Sequence, residues 1–372
     1  MNLYIDHISV KGFRSIGSIE RLELRPINVL VGSNGSGKSN FISLFSFLRE
    51  IREGRLQNYV TRSGGAGRIL HFGAKRTKRI EIDISFRDGL NGYDLWLSPT
   101  EEDSLYPSRE TVSFWDKSQY KSPYEQPLIP AERGLEAGIS SSELVKIPGW
   151  VRSRLGSWRL YHVHDTSPSS PMRTTAKVQD NAFLRADGSN LPSFLFYLRE
   201  KEATSYTLIR RTIQQVAPFF DDFVLAPSNL NPENIRLEWK HQNSDEYFDV
   251  SSLSDGTLRF ITLATLFLQP QRLLPTLILV DEPELGLHPF AIQTLGSLVR
   301  YASKYTQVLI ATQSSQLLDN FEPEDVLVAD RLNGGTVISR LETDRLHSWL
   351  EEYSLGQLWE KNEFAGRPSS ES

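Results

Sequence analysis

Residues 27–40 read INVLVGSNGSGKSN. The run Ile27 to Val31 shows no polar alternation, which predicts a strand covered on both faces. Directly after it, Gly32 to Ser39 matches GxxxxGK[ST] in full. Phe41, Leu44, Phe45, Leu48 and Ile51 then recur at helical spacing, so an amphipathic helix begins inside the glycine-rich loop. Strand, loop and helix in this order are the context that a phosphate-binding loop requires. Glycines let backbone amides close around phosphate oxygens, and the helix N-terminus adds partial positive charge. Lys38 can then reach the outer phosphates, and Ser39 can offer its hydroxyl to Mg²⁺. The expected nucleotide contacts are Asn34, Gly35, Ser36, Gly37, Lys38, Ser39 and Asn40.

Such a loop needs partners elsewhere. In TLILVDEPELGLHP, residues 276–289, four apolar residues lead into Asp281 and Glu282. Adjacent carboxylates at the tip of a buried strand are costly unless something charged meets them. A magnesium ion held by Asp281 and a water polarised by Glu282 would supply the reason. In SSLSDGTLRF, residues 251–260, Ser254, Asp255 and Gly256 open a helix and aim free amides, a hydroxyl and the helix dipole at one place. Alone this is an ordinary N-cap. A fourth stretch, VLIATQSSQLLDNF at 308–321, is an apolar strand that breaks into Thr312, Gln313, Ser314 and Ser315. Either it ends in a polar turn or it senses a bound phosphate.

The remaining sequence bounds the class. A chain of 372 residues can hold one elaborated domain or two lobes. It has no cysteine, which excludes disulfides and thiolate metal sites and fits a reducing compartment. No apolar run approaches a membrane span, and the N-terminus alternates like a strand, so a soluble cytoplasmic protein is expected. The net charge of -5 does not favour nucleic acid overall. Residues 3–31 read as strands with a turn at Lys11 and Gly12. Period-two alternation from 79 to 116 predicts an antiparallel meander. Residues 98–132, with many prolines and serines, read as an irregular insertion. Two helices are expected within 191–217, and the last third alternates helices with apolar strands, which argues for a parallel sheet with crossovers. The division expected is 1–130 for the loop and antiparallel lobe, 131–250 for a helical insertion, 251–345 for the remaining motifs, 346–365 for a C-terminal helix, and a disordered tail from 366.

The ordered set GSNGSGKS, LSDGT, LILVDEPELGLHP and VLIATQSS resembles the ABC-type ATPase heads of the SMC and RecF group. The whole chain is similar to short RecF-like predicted ATPases of prokaryotes, often described as AAA-family and often found in phage-defence loci. KGFRSI near the start and YSLGQLWEKNEFAGRP near the end extend the likeness. The resemblance implies an α/β P-loop NTPase with a mainly parallel core sheet, an antiparallel β lobe and a helical insertion. It implies ATP and Mg²⁺ as ligands, Ser39 and Asp281 at the metal, and Glu282 as the catalytic carboxylate. Two heads would sandwich two ATP molecules, with Ser254, Asp255 and Gly256 of one capping the nucleotide of the other and Glu284 to His288 facing the partner. Where the group usually places a histidine after the switch strand, this chain has Gln313, which can sense phosphate but carries no charge. The implied function is a slowly hydrolysing head that couples ATP state to DNA or to a separately encoded nuclease or toxin. The alternative is an ATP-gated scaffold with incidental turnover. The chain lacks the heptad insertion of SMC proteins, the acidic nuclease domain of overcoming-lysogenization nucleases, and an obvious glutamine loop near residue 75.

Two local features stand apart from these motifs. Arg49 to Arg79 holds nine Lys or Arg against two Glu, either a face for duplex phosphates or a solvated surface. YHVHDTSPSS, 161–170, places His162, His164 and Asp165 at a spacing that suggests metal, but no third distant ligand accompanies them, which favours a polar or structural element.

Overall fold

The computed structural model describes residues 4–130, 134–343 and 346–363. The first third builds β1 (Ile5–Phe13), β2 (Ile16–Glu23), β3 (Ile27–Val31), α1 (Lys38–Arg52), α2 (Leu56–Ser63) and α3 (Ala66–Ile69). The strands β4 (Ile80–Phe86), β5 (Asn91–Pro99), β6 (Leu105–Phe114) and β7 (Tyr124–Pro127) follow. The middle holds α4 (Lys146–Gly156), β8 (Trp158–Tyr161), β9 (Ala176–Lys177), α5 (Leu191–Lys201) and α6 (Ala203–Val216). Four short strands close it, β10 (Phe220–Val224), β11 (Asn234–Ile235), β12 (Glu238–His241) and β13 (Tyr247–Asp249). The last third contains α7 (Asp255–Leu268), β14 (Leu277–Asp281), α8 (Pro289–Ala302), β15 (Gln307–Thr312) and α9 (Ser315–Leu318). It ends in β16 (Val326–Leu332), β17 (Gly335–Arg340), α10 (His347–Leu350) and α11 (Leu355–Glu360).

Twelve strands form one sheet in the order β7-β6-β5-β4-β1-β2-β17-β16-β3-β15-β14-β8. Strands β16, β3, β15, β14 and β8 run parallel, and β1, β2 and β4 to β7 form the antiparallel lobe. The central parallel strands β3, β14 and β15 are mainly apolar because both faces are covered. Val29, Val31, Ile278, Val280, Val308 and Ile310 belong to the core under α5 to α8. Their neighbours Leu30, Leu277, Leu279, Leu309 and Ala311 point to the other core, with the buried face of α1. The alternation is period two, read on two apolar layers at once.

The structure departs from the sequence reading in three places. Residues 11 and 12 are not a turn: β1 continues to Phe13, and Gly12 at φ 78 is needed because a Cβ there would strike the Arg79 carbonyl. The chain reverses at Arg14 (φ 50), and the strand β2 follows. Residues 98–132 contain β6 and β7, with Pro107 at a register shift where β7 no longer pairs. In place of one C-terminal helix there are two short ones, the second begun by the Ser354 cap. The tail from 366 lies outside the described residues.

Candidate active site

The loops at the carboxyl ends of β3, β14, β15 and β8 meet at one edge of the sheet, where open parallel sheets bind ligands. After β3, Gly37 adopts φ 106 and lies so close to the Thr336 side chain that a Cβ would collide. Thr336 of β17 braces the loop from behind. Its Oγ1 donates to the Ser36 carbonyl at 2.9 Å and accepts from Ser15 Oγ at 2.7 Å, while Asn40 Nδ2 donates to Ser15 Oγ at 2.7 Å.

Lys38 is buried, and its Nζ donates to the carbonyls of Gly32 (2.7 Å) and Ser33 (3.0 Å). Burial lowers the Lys38 pKa, and Glu282, Asp281 and Glu284 pull against that. Ser39 Oγ donates to Asp281 Oδ2 at 3.2 Å. Burial raises the Asp281 pKa, while the Ser39 hydrogen bond, His164 and Lys38 act the other way. The other Asp281 oxygen, Oδ1, and Ser36 Oγ are buried without a hydrogen-bond partner. Unpartnered polar atoms inside a loop of amides suit a cation and a phosphate, so the residues fit Mg²⁺ and ATP.

Gln313 ties the two halves together. Its Nε2 donates to Asn34 Oδ1 at 2.8 Å and to Glu282 Oε1 at 2.5 Å. Glu282 itself sits at φ 41, a conformation that costs a non-glycine residue on the order of 1–3 kcal/mol. Glu284 is not a surface residue of the loop beyond. It is buried, with Oε1 accepting from Thr312 Oγ1 at 2.6 Å, and burial raises its pKa. Leu285 is exposed, and His288 Nδ1 accepts from the Phe290 amide to cap α8.

Ser254, Asp255 and Gly256 are not drawn into this cluster. Ser254 Oγ caps α7 by accepting from the Thr257 amide at 3.2 Å, and Asp255 Oδ1 accepts from Arg173 Nη2 at 2.8 Å. Gly256 packs against the Gly286 carbonyl, where a Cβ would not fit. Ser254 and Asp255 face solvent. Arg173 carries no motif in the sequence, and its part in holding Asp255 arises only in the folded chain.

Two further elements join the edge. The chain after β8, whose Tyr161 pairs with Val280, passes the end of β14 and turns where Asp165 Oδ1 accepts from the Ser167 amide and hydroxyl. Beside Asn40 a cleft of about 640 Å³ is lined by Arg14, Ser63, Arg68 and Phe72. Phe72 is 51% exposed, with the Arg76 guanidinium 4.7 Å from its ring centre. A larger cleft of about 710 Å³, near His7, Arg21 and Lys117, also borders Pro26 and so lies at the opposite end of β3, away from these groups. In the basic stretch, Arg55 and Arg62 pair with Glu50, Arg52 with Glu53, and Arg79 with Glu81, so much of the local charge is met within the chain. Lys75, Arg76 and Lys78 remain exposed.

Comparison with known proteins agrees with this architecture. A family model described as an AAA domain, putative AbiEii toxin, type IV TA system, matches residues 27–319. The crystal structure of an Smc head bound to the C-terminal winged-helix domain of ScpA is similar over 94% of this chain and 99% of that one, with a TM-score of 0.56 and 17% identity. An Smc head with an extended coiled coil, bound to the C-terminal domain of ScpA derived from Pyrococcus furiosus, is similar over the same shares, with a TM-score of 0.55 and 14% identity. No curated protein matches the chain. Among the described residues no helix is long and apolar enough to cross a membrane.

Proposed function

We propose that this chain, which belongs to the AAA-domain family described as putative AbiEii toxin of type IV TA systems, binds ATP with Mg²⁺ and hydrolyses it slowly. The observation that carries this reading is the Gln313 amide, which joins Asn34 of the glycine-rich loop to Glu282 beyond β14. Loop amides and Lys38 hold the phosphates, and the Arg14, Asn40 and Phe72 cleft takes the nucleoside. Ser39 and Asp281 hold the cation, which when bound would neutralise charge on the outer phosphate oxygens. Glu282 accepts a hydrogen bond from the attacking water and takes its proton, while Gln313 holds that carboxylate with one N–H and, on releasing Asn34, donates the other toward the phosphoryl oxygens.

Ser254 and Asp255 are exposed at the N-terminus of α7 and, with Gly256, do not contact the loop of their own chain's Lys38, which favours their completing the site of a second copy. We infer a homodimer that closes on ATP and controls DNA contact or a separate effector protein, a nuclease or toxin, in a defence setting. The Smc heads bound to ScpA domains support a partner of this kind by likeness of fold. A scaffold that uses ATP only as a gate is the second reading, favoured by the neutral Gln313. Turnover stimulated by DNA would support the first, and turnover indifferent to DNA the second.

The test pairs Lys38→Ala, expected to lose ATP binding, with Glu282→Gln, expected to bind and not turn over. Wild-type hydrolysis in both variants would remove the site. The chain has no cysteine, so Asn34→Cys with Ser254→Cys offers a clean crosslinking pair. A bismaleimide should join two chains only with ATP present, even if a dimer already exists without it. Equal crosslinking without nucleotide would refute the sandwich.

A further inference from the structure

α9 begins two residues after Gln313 and is four residues long. One turn of helix is marginal alone, so what packs against α9 decides where it lies. Short links tie it to Gln313. Ser314 Oγ accepts from the Leu317 amide at 3.1 Å, and the Ser314 amide donates to Thr312 Oγ1 at 2.9 Å. Two outside elements then hold it. On one side α8 brings Gly296 against the Asn320 side chain, where a Cβ would stand 2.4 Å from the Asn320 Cβ. On the other lies α11, from the stretch SLGQLWE near the end of the chain, which has no part in the site described above.

α11 grips α9 at its start and just past its end. Gly356 lies so close to the Ser315 carbonyl that a Cβ would stand 2.4 Å from the oxygen, and its amide donates to Asp319 Oδ1 at 2.6 Å. Leu355 and Leu358 are buried in the same core as Leu317 and Leu318, which keeps α11 from backing away. Gly356 does not adopt a positive φ, so it serves close approach and not backbone freedom. Alanine is the better helix former. The helix therefore forgoes local stability for this contact.

We propose that Gly356 is a positioning residue for Gln313: its contact with Ser315 and its bond to Asp319 fix α9, and α9 fixes the amide that joins Asn34 to Glu282. This rests on the reading of Gln313 as part of the ATP site. Carbon and carbonyl oxygen ordinarily approach to about 3.3–3.6 Å, so a methyl group at 356 must part the Ser315 carbonyl from α11 by about 1 Å. Gln313 is two residues from Ser315, and its bonds at 2.8 Å and 2.5 Å weaken with such a shift. A misplacement of about 1 Å among catalytic groups costs on the order of a hundredfold in rate.

The experiment uses the full chain and measures steady-state phosphate release from ATP with Mg²⁺ for the wild type, Gly356→Ala, Gln313→Ala and the double variant, with a thermal melt of each. Gly356→Ala should lower kcat about tenfold or more and leave KM within about twofold. In the Gln313→Ala background it should lower kcat no further, because no amide is left to misplace. A wild-type kcat in Gly356→Ala, or an equal fall in both backgrounds, overturns the positioning role and leaves the ATP site standing. A wild-type rate in Gln313→Ala overturns the reading of Gln313 and this inference with it. Should Gly356→Ala not fold, Asp319 decides. Asp319→Asn keeps an acceptor for the Gly356 amide and should keep turnover, whereas Asp319→Ala should lower kcat, and only where Gln313 is present; equal rates in this pair overturn the proposal.

Discussion

Replacing Gln313 by alanine removes one side chain and two hydrogen bonds, to Asn34 Oδ1 at 2.8 Å and to Glu282 Oε1 at 2.5 Å. The second meets a carboxylate and is of the stronger, charge-assisted kind. In the ground state little ATP affinity should be lost, since Lys38 and the loop amides provide most of the contact. In the transition state the loss is larger, because the amide both orients Glu282 and faces developing charge. Removing one preorganised donor of this kind costs about 2.7–4 kcal/mol, on the order of a hundredfold or more in turnover. The assay is steady-state phosphate release at saturating ATP and Mg²⁺, with ATP affinity measured separately on the same folded protein. A rate within about twofold of wild type, under about 0.5 kcal/mol, would show that Gln313 is a strand-end residue and nothing more. Gln313→His sharpens the test: it should keep activity and acquire a pH dependence near the imidazole value of about 6.5.

Two other outcomes follow from the same geometry. Glu284 has a carboxyl pKa raised by burial, so the folded state holds that proton more tightly than the unfolded one, and stability falls as pH rises from the unfolded carboxyl value through the higher folded one. Glu284→Gln keeps an acceptor for Thr312 and should raise Tm by about 1–3 °C at pH 7, with the gain shrinking on acidification; a gain unchanged between pH 7 and pH 4.5 would refute the cause. For the basic stretch, Lys75→Glu with Lys78→Glu should weaken duplex DNA binding and flatten the slope of log K against log salt by about 1 to 2, leaving turnover without DNA unaltered. Equal affinity in a titration at two salt concentrations would make this a solvated surface.

The parts of the site that could be read in advance are local in sequence. Gly32 to Ser39 announces its own backbone, and LILVDE announces a buried strand with charges at its tip. What could not be read joins distant residues. Thr336 supports Ser36 across 300 positions, and the strand that carries it, GTVISR, is too short and mixed to stand out. Trp158 to Tyr161 is four residues long, yet it is the edge strand beside β14 and sets Tyr161 opposite Val280, one residue before Asp281. Arg173 and Arg259 resemble surface arginines in sequence, and only the folded chain gives them carbonyls to hold. Pro107 obscured only the first half of β6, whose second half, with Val112 and Phe114, falls within the alternation from 79 to 116; proline argues against a strand unless the neighbouring edge is free, as it is here.

One register decides whether the catalytic groups meet. β15 lies between β14 and β3, with Ala311 opposite Asp281 on one side and Leu30 on the other, and Thr312 opposite Val31. Thr312 therefore turns inward to Glu284, and Gln313 emerges between Glu282 and the loop that holds Asn34. A slip of one residue would exchange the two faces of β15 and send the amide to the place of the hydroxyl. The apolar half of VLIATQSS resists that slip. Val308 and Ile310 fill one core while Leu309 and Ala311 fill the other, and the small Ala311 cannot trade places with Ile310 without a clash on one face and a void on the other. Packing on two sides of a single strand thus fixes where a neutral amide stands, and the polar end of the stretch acts from the position that its apolar end sets.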